Sequence, residues 1–126
     1  MLIRYKKAYE KIAMGMLSFM PQEHNLKQLQ QTMSLYNGNT GWQLFMMKKE
    51  NTFIGLIGAE IFENHYIIRH LSVVPSYRGE GVARNMIENL ESLMKGREMR
   101  ATSETYEFLS NFIQKELKIE MKNTAS

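Results

Sequence analysis

Apolar residues recur along this chain in two rhythms, strand-like alternation and helix-like steps of three or four, and their succession predicts the elements. Leu2 to Tyr5 reads as a short first strand. Ala8, Ile12, Met16 and Phe19 follow at helical spacing, and Pro21 closes that helix because the residue before a proline avoids helical angles. Leu26, Leu29, Met33 and Tyr36 form the stripe of a second helix, ended by Asn37-Gly38-Asn39-Thr40-Gly41. Trp42 to Lys48 and Thr52 to Phe62 predict two strands joined through Lys49-Glu50-Asn51. Gly55 and Gly58 inside the second imply a bulge or the close approach of another group. Glu63-Asn64 turns the chain into a further strand, His65 to Val74. Three successive strands on short turns predict an antiparallel meander.

Pro75 stops that strand, and Arg78-Gly79-Glu80-Gly81 makes a polar turn. Val82, Met86, Leu90 and Leu93 then line one face of a helix running to about Lys95, with Gly96 at its C-cap. Glu98 to Thr102 is a short fifth strand, and Thr102 or Ser103 can cap the next helix, whose stripe is Tyr106, Leu109 and Ile113. Leu117, Ile119 and Met121 alternate with Lys118, Glu120 and Lys122, the spacing of a last short strand, though a frayed helix end fits the same residues.

Leu71 to Ala83 carries the clearest chemistry. Strand, glycine turn and helix start bring several partnerless helix N–H groups to one spot, where the helix dipole adds positive charge. Such a spot attracts phosphate. Gly79 and Gly81 let backbone approach a ligand closely, and Arg78 brings a fixed charge suited to a pyrophosphate. A bare glycine turn joining strand to helix explains the two glycines alone, but not the arginine beside them.

Composition narrows the picture. A chain of 126 residues fits one domain, residues 1–126, around one core. With no cysteines there is no disulfide, thiol nucleophile or zinc–thiolate site, and a reducing, cytoplasmic setting is expected. The net charge of +3 does not by itself imply nucleic acid, and Arg4, Lys6, Lys7 and Lys11 read as a solvated face. No apolar run is long enough to span a membrane, and Glu10 and Lys11 interrupt any signal-peptide core. The eleven methionines lie mostly at core spacing, so they are read as packing residues and no metal is expected.

The stretch Arg78-Gly79-Glu80-Gly81-Val82-Ala83, led in by Val73-Val74-Pro75, resembles the acetyl-CoA motif of the GNAT superfamily, the Gcn5-related N-acetyltransferases. The order of elements resembles that fold over most of the chain. The resemblance implies an α/β (α+β) class, a mixed, mostly antiparallel sheet flanked by helices, shortened at the C-terminus. Where the fold usually closes with two C-terminal strands, at most one fits here, so the acceptor side is either open or completed by a second subunit in a homodimer. Residues 1–21, Leu26 to Thr32 and Ile68-Arg69-His70 further resemble the RibT family, small GNAT-type proteins encoded beside riboflavin-synthesis genes in Bacillus and relatives.

The superfamily implies a division of labour. Leu71, Ser72 and Val73 contact the pantetheine arm through their backbone, and amides from Gly79 through Glu80, Gly81, Val82 and Ala83 to Arg84 hold the pyrophosphate. An N–H near Val73 polarises the acetyl carbonyl. Many members take their base from a carboxylate on the preceding strand, but Tyr66 to Val74 holds none, and Arg69 and His70 stand there instead. His70 is the candidate base, set against the plainer reading of a packing histidine. Glu60 and Glu63 are weaker candidates, and ordinary surface charge explains both. The tyrosine that usually serves as acid aligns with Ile113, which has no proton to give, while Tyr106 reads as packing. The expected activity is acetyl-CoA-dependent transfer to a small-molecule or protein amine. The alternative is a CoA-binding regulatory module without catalysis. A third class, an unrelated nucleotide binder, finds no P-loop or dinucleotide fingerprint.

Overall fold

The structure, a computed structural model, describes residues 1–111 and 118–119. Its strands are β1 (Leu2–Arg4), β2 (Trp42–Lys49), β3 (Thr52–Ile61), β4 (His65–Val73), β5 (Glu98–Ala101) and β6 (Lys118–Ile119). Its helices are α1 (Glu10–Leu17), α2 (Leu26–Gly38), α3 (Val82–Leu93) and α4 (Tyr106–Ser110). The strands form one sheet in the order β1-β2-β3-β4-β5-β6. β1 to β4 pair antiparallel, with short turns joining β2 to β3 and β3 to β4, and β4, β5 and β6 pair parallel. The crossover from β4 to β5 is carried by α3, so the expected mixed, mostly antiparallel sheet flanked by helices is present. The expected helical position Ile113, and the strand positions Leu117 and Met121, lie outside the described residues; Lys118 and Ile119 pair with Arg100 and Ala101.

β2, β3 and β4 are apolar on both faces, and two cores follow. On one face Ala13, Met16 and Leu17 of α1 and Met33 and Tyr36 of α2 pack on Leu44, Met46 and Leu56. On the other, Val82, Met86, Ile87 and Leu90 of α3 and Leu109 of α4 pack on Phe45, Ile57, Ala59, Ile68 and Leu71. Two predicted stripes are rotated. Ile12, Phe19 and Leu93 are exposed, while Ala13, Leu17 and Ile87 are buried. Each displaced position lies one residue from the expected one or at a helix end, where the sheet no longer covers the helix.

Two irregularities shape what lies beyond the core. The β3–β4 register passes from Gly58↔His70 to Ala59↔Ile68, so Arg69 is an extra residue bulged out of β4. The β4–β5 pairing ends at Ile68↔Ala101, yet β4 continues to Val73. The two strands part there, and Thr105 fills the fork. Its hydroxyl accepts from the Thr102 N–H at 2.9 Å and donates to the Ile68 carbonyl at 3.0 Å. Beyond the fork, one edge of β4 has no neighbouring strand among the described residues.

Candidate active site

Backbone alternation decides what that open edge offers. Val74 N–H donates to Ile54 O at 3.0 Å, so past the Arg69 bulge His70 and Ser72 turn their amides toward β3 as Val74 does. Leu71 and Val73 turn theirs to the open side. Arg78 Nε donates to Val73 O at 3.0 Å, and Leu71 N–H meets the Met20 thioether, a weak acceptor, at 3.1 Å. Ser72 is different: its backbone faces β3, and its hydroxyl donates to Met16 O at 2.9 Å. Two cavities adjoin this edge.

The first is at the end of β4. Pro75–Tyr77 forms a 3-10 turn, after which Gly79 and Gly81 both take φ of +82°, the left-handed region that glycine enters without strain. Gly81 is the N-cap of α3, and its carbonyl accepts the first helical bond from Asn85 at 3.0 Å. The amides of Val82 and Ala83 therefore begin the helix with no partner inside it. A cavity of about 240 Å³ opens here, lined by Val73, Tyr77, Arg78, both glycines, Val82, Ala83 and Phe108. Glu80 is exposed on the turn. Arg78 does more than its sequence context suggests, since it ties the turn to β4 through Val73 and lies over the Phe19 ring at 5.5 Å.

The second cavity, about 390 Å³, lies at the fork. The segment Met20-Pro21-Gln22-Glu23 runs beside the open edge to form one wall. Gln22 Nε2 donates to Arg69 O at 3.1 Å, which fixes the other atom of that amide, Oε1, as an acceptor. Oε1 is buried with no partner among the described residues. Arg69 also lines the cavity and is paired with Glu60, whose Oε1 takes its Nη2 at 2.6 Å and Nε at 3.1 Å, while its guanidinium lies over the Trp42 ring at 5.4 Å. Glu63 is exposed on the β3–β4 turn, and Tyr106 is half-buried against the core under α3.

His70 is 4% exposed and Glu23 3%. The Glu23 carboxylate accepts from Thr32 Oγ1 at 2.8 and 2.9 Å, and its Oε2 lies 3.0 Å from His70 Nε2. His70 Nδ1 lies 2.6 Å from the Tyr36 hydroxyl. Burial holds that phenol well above the usual tyrosine range, so it keeps the proton it donates to Nδ1. Nε2–H then donates to Glu23, and neither ring nitrogen has a lone pair left for a substrate. The candidate base thus stands at the fork, where it lines the cavity, but with both nitrogens engaged. Sequence reasoning did not single out Glu23, Gln22 or Tyr36. Glu23 lies 47 residues from His70 in a loop, and Tyr36 belongs to an apolar helical stripe, so neither carries a local signal.

An open strand edge thus lies between a helix start suited to an anion and a polar cavity. A sequence profile of the Acetyltransferase (GNAT) family matches residues 8–113, and the chain belongs to that family. The uncharacterized N-acetyltransferase in the lysA 3′ region of Bacillus methanolicus is 46% identical over 110 residues, 86% of this chain and 92% of that protein. Among solved structures, AAC(6′)-Iy in complex with the bisubstrate analogue CoA-S-monomethyl-acetylneamine has a TM-score of 0.73 at 17% identity, covering 98% of this chain and 97% of the other. The aminoglycoside 6′-N-acetyltransferase AAC(6′)-IG from Acinetobacter haemolyticus, without ligand, has a TM-score of 0.73 at 14% identity over 94% of this chain and 92% of its own. At these identities the likeness is one of fold.

Proposed function

We propose that this chain, acting as a single domain, is an acetyl-CoA-dependent N-acetyltransferase for a small-molecule amine. The observation that carries the reading is the open edge of β4, with Leu71 N–H turned into the fork and a cavity on each side. Support also comes from a fold neighbour that holds a CoA–aminoglycoside bisubstrate analogue.

In this reading the amides of Val82, Ala83 and Arg84 and the turn Gly79-Glu80-Gly81 receive the pyrophosphate. The edge groups of Leu71 and Val73 receive pantetheine as an added strand would. The expected Ser72 contact is not made, because its backbone faces β3 and its hydroxyl is bound to Met16 O. Bound acetyl-CoA supplies an activated thioester. Leu71 N–H, whose one partner among the described residues is a weakly accepting thioether, turns to the acetyl oxygen and stabilises the negative charge that develops on it. The amine enters from the fork. The likeness of residues 1–21, Leu26–Thr32 and Ile68–His70 to the RibT family makes an amine from riboflavin metabolism the first acceptor to test.

Release of free thiol from acetyl-CoA tests the reading, with a panel of flavin precursors, diamines and aminoglycosides as acceptors. Amine-dependent release supports it. Tight CoA binding with no amine-dependent release favours the second reading, a regulatory CoA-binding module, which the lack of a carboxylate on β4 from Tyr66 to Val73 also favours.

A further inference from the structure

We propose that the cavity at the fork binds the acceptor as a protonated primary amine, with Gln22 Oε1 as hydrogen-bond acceptor and Glu23 as the base. This rests on the acetyltransferase reading for its chemistry, though not for the binding itself. Three observations converge. Gln22 Oε1 is a buried acceptor without a donor among the described residues, and such atoms are costly unless a partner arrives. Glu23 lines the cavity and is fixed in place by Thr32 and by His70, which Tyr36 holds in turn. The charges around the cavity suit a cation, since Glu23 and Glu104 line it while the cation of Arg69 is matched by Glu60.

The step balances without a further reagent. The ammonium gives one proton to the Glu23 carboxylate, and the freed lone pair forms the C–N bond at the thioester carbon. The C–S bond breaks, and the sulfur takes the second proton from nitrogen. Glu23 returns its proton to water, so ammonium and acetyl-CoA yield amide, CoA thiol and one proton. Tyr36 and His70 are positioning residues in this scheme.

Trp42, the chain's one tryptophan, lines the cavity and provides a readout that needs no turnover. Its fluorescence is followed while 1,4-diaminobutane, neamine and the neutral isostere 1,4-butanediol are titrated at constant ionic strength. The expected result is a saturable response to both amines and none to the diol. Glu23→Gln and Gln22→Leu should each weaken amine binding by about tenfold or more, since a charge-assisted bond is lost in the first and the orphan acceptor in the second. His70→Gln, which can still donate to Glu23 and accept from Tyr36, should stay within about threefold of the parent. Equal response to the diol, no response to either amine, or unchanged binding in folded Glu23→Gln overturns the proposal. Calorimetry with CoA, run in parallel, separates the two ideas. Absent CoA binding with intact amine binding contradicts the acetyltransferase reading and leaves the ammonium site standing.

Discussion

Tyr36 occupies the space that a side chain on Gly58 would fill. A Cβ built at Gly58 would overlap the Tyr36 hydroxyl and stand 2.6 Å from its Cζ. Gly58 is also the cross-strand partner of His70, so the missing side chain lets the phenol reach Nδ1. Gly58→Ala should therefore expel Tyr36 and loosen His70 and Glu23 with it. The expected cost is about 1–3 kcal/mol, the range for overpacking a filled core, read by urea denaturation. Unaltered stability would mean that α2 shifts freely, and that the Tyr36–His70–Glu23 chain is not rigid.

The glycine turn makes a separate prediction. An acid at the N-cap of α3 suits the helix dipole but opposes a phosphate in the same place. Gly81→Asp should keep the fold while lowering CoA affinity by about 100-fold, ~2.7 kcal/mol. Aspartate tolerates the left-handed angles of Gly81 better than most residues do. Arg78→Ala, which removes the tie to Val73 O as well as the charge, should lower affinity further in the double variant. Calorimetric affinities equal to the parent's would remove this turn from the binding site.

Two buried phenols set the alkaline limit of stability. Burial raises Tyr36 well above its usual range, and burial first, then Glu91, does the same for Tyr66. The folded state thus keeps protons that the unfolded chain releases near pH 10. Their contribution is complete below that value and is lost as pH rises through it, because deprotonation then favours the unfolded chain. The Tyr66 hydroxyl is buried with no partner among the described residues. Tyr66→Phe should be neutral or stabilising by about 1 kcal/mol at neutral pH and should move the alkaline midpoint upward. Destabilisation beyond about 2 kcal/mol would mean the hydroxyl is satisfied in solution.

His70 invites a test of role rather than presence. With both nitrogens engaged, it orients Glu23. His70→Ala should lower turnover by about tenfold or more with little change in acetyl-CoA affinity, and His70→Gln should recover much of the rate. Equal losses in the alanine and glutamine variants would return proton transfer to the imidazole.

The elements that a local pattern encodes were legible from sequence. The strand-Pro-Arg-Gly-x-Gly turn has its expected form because Gly79 and Gly81 adopt angles that only their neighbours in sequence need to dictate. Gly58 was legible as an exception, and the structure gives both readings of it, a bulge beside it at Arg69 and a close approach by Tyr36. Ile12, Phe19 and Leu93 were misread because a stripe can be drawn one residue either way until the sheet chooses the buried face. The polar chain from Thr32 through Glu23 and His70 to Tyr36 was invisible for a different reason. Its members come from a loop, a helix and a strand far apart in sequence, and only the fork between β4 and β5 brings them together.

The open edge of β4 and the start of α3 are proposed to form one acetyl-CoA site. Calorimetric titration of the intact chain with acetyl-CoA tests it most directly. Saturable one-to-one binding in the micromolar range is expected, weakened about 100-fold in Gly81→Asp. No heat of binding at millimolar acetyl-CoA, or equal binding by that variant, would contradict it.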